Sequence, residues 1–243
     1  MLEPKRVVFL RSNPVAPDPR VEKEATALAK HGCDVSIVCW DRKAEFPPKD
    51  DYEGIPIMRI QLRGQYGGGT KSLCKAIGWN WRLFLWLVRN RKSYDIIHAC
   101  DFDTVIPALV AKSFCGKKVV YDIFDFYADM VLTLPRWLRR VIRFFDLHLM
   151  RKTDAVIICD DARKDQIKGF SPGKLVVIYN SIPEIENLVI PKRDCFNGLK
   201  VGYAGNLAPD RGIFTLINVV KQMPQVHLDI AGSGRLKDDV LSA

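Results

Sequence analysis

The chain has 243 residues, of which 48% are hydrophobic and 27% charged, and its formal net charge at pH 7 is +9. This composition excludes the disordered and fibrous classes of protein, and the length suffices for a buried core without disulfides or metal ions. The basic excess fits either plain solubility or an anionic partner, such as nucleic acid, a phosphorylated small molecule or an acidic membrane face.

The chain contains seven cysteines, an odd number, and no C-x-x-C pair. Most of them lie within or beside apolar runs, so we interpret them as reduced core residues and expect no metal site. The first 11 residues lack the long apolar region and the cleavage site of a signal peptide, and no uncharged apolar stretch reaches about 18 residues. We therefore expect a cytoplasmic protein without a transmembrane helix.

Strands and helices alternate along most of the chain. Arg6–Leu10 is an apolar run typical of a strand buried on both faces, and Asp18, Pro19 and Gly32 can cap, begin and end the helix that follows. Further strands are predicted at Val35–Trp40, Ile57–Leu62, Asp95–Ala99, Lys118–Tyr121, Ala155–Cys159 and Leu175–Tyr179. Further helices are predicted at Lys71–Arg91, Thr104–Phe114, Leu134–Lys152 and Asp161–Lys168. This alternation is typical of a parallel sheet with helices on both faces.

Residues 181–198 interrupt the alternation with prolines, mixed charges and no clean periodicity, and we interpret them as a linker. The alternation then restarts with a strand, a helix and a strand, at Lys200–Ala204, Phe214–Met223 and Val226–Ala231. Two clear strands cannot bury a sheet on both faces. We therefore expect the second domain to be incomplete or to need a partner.

Ligands of open parallel sheets bind at the carboxyl ends of the strands. Asn13 and Arg20 follow the first strand, beside a helix N-terminus that can receive an anion, although no G-x-G-x-x-G motif is present. His98 and Asp101 lie at the end of the fourth predicted strand, where they can orient hydroxyl groups. A core histidine, a helix cap and a solvated arginine are simpler interpretations, and they stay open.

The fifth predicted strand is followed by carboxylates beside aromatic side chains, including Asp122, Asp125 and Tyr127. Aromatic faces and carboxylates suit a polyhydroxylated ligand, whose ring stacks and whose hydroxyls donate hydrogen bonds. Pairs of carboxylates are also typical of glycoside hydrolysis. A capped helix start with core aromatics is the third interpretation.

Glycines and one arginine mark the predicted strand ends of the second domain. Gly205 allows close approach of another backbone or of a ligand, and Gly232 and Gly234 do so after the next strand. Arg211 precedes a helix, where its charge and the helix N-terminus can act together on a diphosphate. An arginine that merely faces solvent is the alternative.

Taken in order, these segments resemble the GT-B-fold glycosyltransferases of family 4, which are retaining nucleotide-sugar transferases. The matching segments are N-P…D-P-R-V-E-K-E-A, Y-D-I-I-H-A-C-D-F-D-T, K-K-V-V-Y-D, V-I-Y-N-S-I-P, Y-A-G-N-L-A-P-D-R-G-I and L-D-I-A-G-S-G. The resemblance implies an α/β fold of GT-B type. Its parts would be a Rossmann-like, parallel-sheet acceptor domain over residues 1–182, a linker over 183–198, and the first βαβ of a Rossmann-like donor-binding domain over 199–243.

The resemblance implies sugar transfer from a nucleotide-diphosphate sugar to a lipid-linked or polysaccharide acceptor, with retention and with neither metal nor other cofactor. Arg211 matches a phosphate-binding residue of the family, whereas Asn206 stands where many members have a second basic residue. Phe124-Asp125 stands in place of a family His-Glu pair, so Asp122 or Asp125 would have to act in catalysis. The expected donor-binding residues are Gly205, Asn206, Arg211, Gly232 and Gly234, and the expected acceptor-side residues are Asn13, Arg20, His98, Asp101 and Tyr127.

Two predicted helices combine basic residues with tryptophans, one around Trp79, Trp81 and Trp86 and the other around Trp137. This pattern indicates either a peripheral contact with the anionic inner face of a membrane or core helices with solvated basic edges. A binding subunit of a split enzyme, with a partner that completes the donor site, is the alternative function. No nucleic-acid-binding motif is visible, and no nucleic-acid partner is expected.

Overall fold

The computed structural model describes residues 4–64, 69–130, 134–170, 172–181 and 198–243. The chain divides into two compact units, unit 1 (Met1–Ile182) and unit 2 (Pro183–Ala243). The predicted linker over 183–198 lies, apart from residue 198, outside the described residues.

Unit 1 is built from strands and helices that alternate in sequence. Its described strands are β1 (Arg6–Arg11), β2 (Asp34–Asp41), β3 (Lys49–Tyr52), β4 (Ile55–Gln61), β5 (Ile96–Cys100), β6 (Lys118–Ile123), β7 (Ala155–Ile158) and β8 (Leu175–Val177). Its described helices are α1 (Pro19–Lys30), α2 (Gly69–Arg89), α3 (Phe102–Cys115), α4 (Tyr127–Met130) and α5 (Arg136–Met150), and Asp161–Ile167 forms a 3₁₀ helix.

The strands of unit 1 form one sheet in the order β3-β4-β2-β1-β5-β6-β7-β8, which is parallel except for β3. The chain moves to one side of β1 with β2 and β4, and to the other side with β5 to β8. The loops after β1 and β5 therefore diverge, and such a reversal opens a crevice at the carboxyl ends of the strands.

Helices cover both faces of this sheet, as the alternation predicted. On one face α1 packs Val21 and Ala25 against Phe9 and Ile37. On the other face α2, α3 and α5 pack around a larger core that contains Tyr121. The predicted α/β fold with a parallel sheet is confirmed.

The start and end of α1 follow from the residues that flank it. The side chain of Asp18 accepts a hydrogen bond from the backbone N of Val21 at 3.4 Å, and Pro19 takes the first helical position. Gly32, with φ of +83°, follows the last turn in the left-handed conformation that glycine tolerates best. These are the roles that the sequence predicted.

The edge strand β3 was not predicted, because Lys49–Tyr52 carries charge instead of an apolar alternation. It pairs antiparallel with β4 across a tight turn at Glu53-Gly54, in which Gly54 has φ of +83°. Local hydrogen bonds form this hairpin, and the side chains of β3 remain largely exposed.

Of the two interpretations of the tryptophans in α2, a core helix with solvated edges fits Trp79 and Trp86. Trp79 is fully buried and stacks on Trp40 with ring centroids 5.3 Å apart. Trp86 is partly buried and packs against the same core. Only Trp81 of the three is largely exposed. Among the described residues, no helix combines the length and the apolar character needed to cross a bilayer.

Unit 2 contains β9 (Leu199–Ala204), a 3₁₀ helix (Pro209–Arg211), α6 (Ile213–Lys221), β10 (Val226–Ala231) and α7 (Lys237–Leu241). The two strands pair in parallel, and their crossover runs through α6, as predicted for a βαβ unit. A small core of Leu207, Ile213 and Ile217 joins the helix to the sheet.

Candidate functional site

The loops after β1 and β5 are tied together by Arg11 at the carboxyl edge of the sheet. Its Nε lies 2.7 Å from the Asp18 carboxylate, and its Nη1 pairs with Asp101. The side-chain amide of Asn13 donates to the same carboxylate of Asp18 at 2.6 Å. The arrangement fixes the loop that leads from β1 into α1.

Asp101 connects this loop to the end of β6. Its Oδ1 accepts a hydrogen bond from the backbone N of Phe124 at 2.9 Å. Asp101 has φ of +67°, a conformation that non-glycine residues adopt rarely and at a cost of about 1–3 kcal/mol. Its ion pair and backbone hydrogen bonds offset this strain.

Beneath these loops lies a group of four side chains, Arg20, Glu24, His98 and Asp122, which we name the buried charge cluster. Arg20 pairs with Asp122 and also with Glu24, at 3.1 Å. His98 Nε2 lies 3.3 Å from Asp122 and 3.4 Å from Glu24. The four side chains come from α1, β5 and the end of β6, and they join these elements below the surface.

The burial of these groups shifts their protonation. Burial raises the pKa of Asp122 to about 6. Burial alone would lower the pKa of His98, but the carboxylates of Asp122 and Glu24 raise it to about 9. At neutral pH the cluster therefore holds two cations and two anions, and its charges balance.

Phe124 separates the buried charge cluster from the outer loops. The guanidinium carbons of Arg11 and Arg20 each lie 4.1 Å from the centroid of its ring. Cations on aromatic faces are attracted to the ring quadrupole, by about 0.5–2 kcal/mol each. Phe124 thus couples both arginines to the end of β6.

The glycines at the strand ends of unit 2 pack backbone against backbone. A Cβ on Gly232 would lie 1.9 Å from the carbonyl oxygen of Gly205, and one on Gly234 would lie 2.4 Å from that of Leu207. The backbone N of Gly205 donates to Ala231 across the same contact, at 2.9 Å. Close approach of another backbone, one of the two predicted explanations, thus accounts for Gly232 and Gly234.

Arg211 and Asn206 are both exposed in unit 2. Arg211 ends the 3₁₀ helix, and its Nε lies 3.6 Å from the carboxylate of Asp210. Gly212, with φ of +66°, turns the chain into α6. The position of Arg211 just before a helix is as the sequence predicted.

A trio of potential metal ligands occurs inside unit 1, with the ligand atoms of His98, Cys100 and Asp122 within 4.8 Å of one another. These residues suit a metal poorly. His98 and Asp122 already belong to the buried charge cluster, in which the cationic Arg20 would repel a metal ion. Burial also raises the pKa of Cys100 well above its usual value, which disfavours the thiolate that binds metals.

Residues 16–181 match the family model described as a glycosyl transferase 4-like domain. The chain belongs to this family. A search among curated proteins found no match to its sequence.

Solved structures resemble this glycosyl transferase 4-like chain over nearly its whole length. Sucrose-phosphate synthase from Thermosynechococcus elongatus aligns with a TM-score of 0.70 and 14% identity, over 93% of this chain and 62% of that one. HepE from Anabaena, in complex with UDP and glucose, aligns with a TM-score of 0.66 and 17% identity, over 97% of this chain and 63% of that one. The catalytic domain of starch synthase IV from Arabidopsis thaliana, bound to ADP and acarbose, aligns with a TM-score of 0.66 and 12% identity. The alignment covers 98% of this chain and 70% of that one.

These likenesses confirm the predicted GT-B-type fold of the glycosyl transferase 4-like chain. The chain spans less than two thirds of the length of the synthase and of HepE.

The structure brings most of the predicted acceptor-side residues together at the carboxyl edge of the sheet of unit 1. Asn13, Arg20, His98 and Asp101 all lie in the loops or in the buried charge cluster. Tyr127 lies apart and packs on Phe102, with ring centroids 5.5 Å apart.

The two predicted catalytic carboxylates occupy different environments. Asp125 is exposed and pairs with Arg163 at 2.7 Å. The Asp122 side chain has no exposed surface and is held by Arg20 and His98. Only Asp125 of the two can meet a ligand without a rearrangement of the loops.

The sequence did not single out Arg11, Glu24 or Arg163. A signal was available for Glu24, because it lies four residues after Arg20 and therefore on the same face of α1. Arg11 pairs with Asp101 over 90 residues, and Arg163 pairs with Asp125 over 38 residues. No local pattern predicts such pairs.

Proposed function

We propose that the protein transfers a sugar from a nucleotide-diphosphate sugar to a lipid-linked or polysaccharide acceptor, with retention of the anomeric configuration. The observation that carries the proposal is the ordered arrangement of loops at the carboxyl edge of the sheet of unit 1, in a chain that belongs to this family. There the ion pairs of Arg11 join the loops after β1 and β5, and Phe124 is held by a hydrogen bond to Asp101 and by cation–π contacts with two arginines. The nucleotides bound by HepE and starch synthase IV support a nucleotide-sugar donor.

We propose that unit 2 binds the donor and that unit 1 binds the acceptor. The exposed guanidinium of Arg211, together with the N-terminus of α6, neutralises the diphosphate. Gly205, Asn206, Gly232 and Gly234 shape the neighbouring backbone. The bond from the anomeric carbon to the diphosphate breaks, and the nucleoside diphosphate leaves with the electron pair. The acceptor hydroxyl oxygen forms the new bond to the anomeric carbon on the same face, and its proton passes to the departing diphosphate. Arg211 stabilises the charge that develops on the diphosphate.

The residues of unit 1 divide into those that contact ligand and those that position them. Asp125 is exposed at the end of β6, and we assign it the contact with the reacting sugars. Arg20, His98 and Asp122 are buried, so they act by holding Phe124 and the loops in place. The reaction as proposed needs neither a metal nor another cofactor.

We further propose a cytoplasmic protein that binds the inner face of a membrane through α5. Trp137, Phe144 and Phe145 are 66%, 53% and 56% exposed, and Arg136 and Arg140 are exposed on the same helix. Aromatic side chains with arginines suit an anionic interface. Sedimentation with vesicles should increase with their content of anionic lipid, and sedimentation independent of that content would refute the membrane contact.

The function is tested by a screen of nucleotide sugars that scores release of the nucleoside diphosphate. We expect release with one of the common uridine, guanosine, adenosine or thymidine donors. Product analysis by NMR then gives the anomeric configuration. No release with any of these donors would overturn the proposed function, and inversion would overturn the retaining mechanism.

A further inference from the structure

Two neighbouring cavities open beyond the end of β6, and Asp129 lines both of them. The first has a volume of about 350 Å³, and we name it the carboxylate pocket. Its polar lining consists of Asp125, Asp129, Asp160, Arg163 and Gln166. The second has a volume of about 210 Å³, and we name it the arginine pocket. Its charged lining consists of Asp129, Arg136, Arg139, Arg140 and Arg143.

The arginine pocket carries an excess of positive charge. Arg143 lies 3.3 Å and Arg139 3.9 Å from the carboxylate of Asp129. Backbone carbonyls hold the same two arginines in place, because Arg139 donates to Ala128 at 2.7 Å and Arg143 donates to Gln166 at 2.8 Å. One carboxylate against four guanidiniums leaves three positive charges in this cavity.

This charge suits a phosphate or diphosphate group. Guanidinium groups bind phosphate oxygens through pairs of parallel hydrogen bonds. Arg136 and Arg140 are exposed at the rim, and Arg139 and Arg143 are anchored behind them. The cavity therefore combines fixed guanidiniums with accessible ones.

The carboxylate pocket has the opposite chemistry. Asp125 pairs with Arg163 at 2.7 Å, and Asp160 accepts a hydrogen bond from the backbone of Ala162. The buried Oε1 of Gln166 has no hydrogen-bond partner among the described residues. Three carboxylates and a carboxamide oxygen accept hydrogen bonds from hydroxyl groups, the commonest donors of a saccharide.

We propose that the two cavities together form the acceptor site, and that the acceptor is a saccharide joined to a phosphate or diphosphate. The saccharide occupies the carboxylate pocket beside Asp125, and the phosphate occupies the arginine pocket. This inference rests on the proposed sugar transfer and specifies its acceptor. It also explains why cavities of opposite charge lie side by side.

The first test measures binding of inorganic pyrophosphate by calorimetry, in the Arg211→Ala background to remove the proposed donor contact. Arg136→Gln/Arg140→Gln should weaken binding by at least about tenfold, since hydrogen bonds to charged groups are strong. Lys30→Gln/Lys49→Gln removes the same charge from exposed positions on α1 and β3 and should leave the affinity unchanged. Equal affinities of the two double variants would overturn the arginine pocket.

The second test compares three acceptors at a fixed donor concentration: a polyprenyl-diphosphate saccharide in micelles, a water-soluble sugar 1-phosphate, and the same saccharide without phosphate. We expect one of the phosphorylated acceptors to be preferred, and which of them is preferred identifies a lipid or a soluble source. Equal rates with the unphosphorylated saccharide would overturn the proposal. If no donor releases its nucleotide, the proposed function fails instead, and pyrophosphate binding still decides whether the arginine pocket binds phosphate.

Discussion

The guanidinium of Arg20 pairs with the carboxylate of Asp122, 102 residues later in the chain, and neither side chain is more than 7% exposed. This ion pair connects α1, on one face of the sheet, to the carboxyl end of β6. Phe124 follows two residues later and lies against the same guanidinium. The position of Phe124, at the surface on which the ligand is proposed to bind, therefore depends on how α1 packs against the sheet.

Removal of one partner of this pair should destabilise unit 1 strongly. We expect Asp122→Ala to lower the free energy of unfolding by about 3–5 kcal/mol, because it leaves the two buried cations Arg20 and His98 with Glu24 as their one remaining anion in the cluster. Unfolding in urea measures the change. Asp165→Ala is the matched control, because it breaks only an exposed pair with Lys168 and should cost less than about 1 kcal/mol. Similar losses in both variants would contradict this account.

The stability of unit 1 should fall as the pH rises from about 6.5 to about 9. The folded state raises the pKa of His98 from 6.5 to about 9, so the stabilisation is complete below pH 6.5 and is lost as the pH rises through 9. Asp122, with a pKa of about 6, is already ionised over most of this range. Urea unfolding at several pH values should show a loss of more than about 1.4 kcal/mol, the equivalent of one pKa unit.

The control for this pH dependence is His98→Gln, which carries no titrating group at this position. The variant is expected to show a shallower dependence of the unfolding free energy between pH 6.5 and 9. If the wild-type and variant curves stay parallel, His98 is not the group responsible.

Gly232→Ala should push apart the carboxyl ends of β9 and β10 in unit 2. The added Cβ would lie 1.9 Å from the carbonyl oxygen of Gly205, and overpacking of this kind costs about 1–3 kcal/mol or more. Hydrogen exchange should therefore accelerate at the backbone amides of Gly205 and Leu207, which donate to Ala231 and Ser233. A Cβ on Gly202 meets no atom within 4 Å, so Gly202→Ala should preserve their protection. Unchanged exchange in both variants would count against this packing.

Arg211→Ala should lower kcat/KM for the donor by at least about tenfold, because a charge-assisted contact with phosphate contributes about 1.5–3 kcal/mol. Steady-state release of nucleoside diphosphate measures the change. Lys221→Ala removes an exposed cation from the other end of α6 and should have little effect. Unchanged kinetics in Arg211→Ala would show that another residue neutralises the diphosphate.

The features that the sequence predicted are local in the chain. The start of α1 follows from Asp18 and Pro19, and the parallel sheet follows from short apolar runs between helices. The pairing of Arg11 with Asp101 spans 90 residues and depends on the order of the strands, which no local pattern contains. For the same reason the sequence selected Asp122 as a catalytic residue, although the fold encloses it.

The edge strand β3, which begins the hairpin with β4, affects how the protein can be handled. Lys49, Asp50 and Asp51 are exposed along this outer strand, and charge of both signs on a free edge discourages pairing with strands of other molecules. Asp50 also accepts a hydrogen bond from Arg59 at 2.7 Å, which secures the strand against β4. Neutral, β-branched side chains at these positions would allow β3 to pair with strands of other molecules, and the protein would then aggregate.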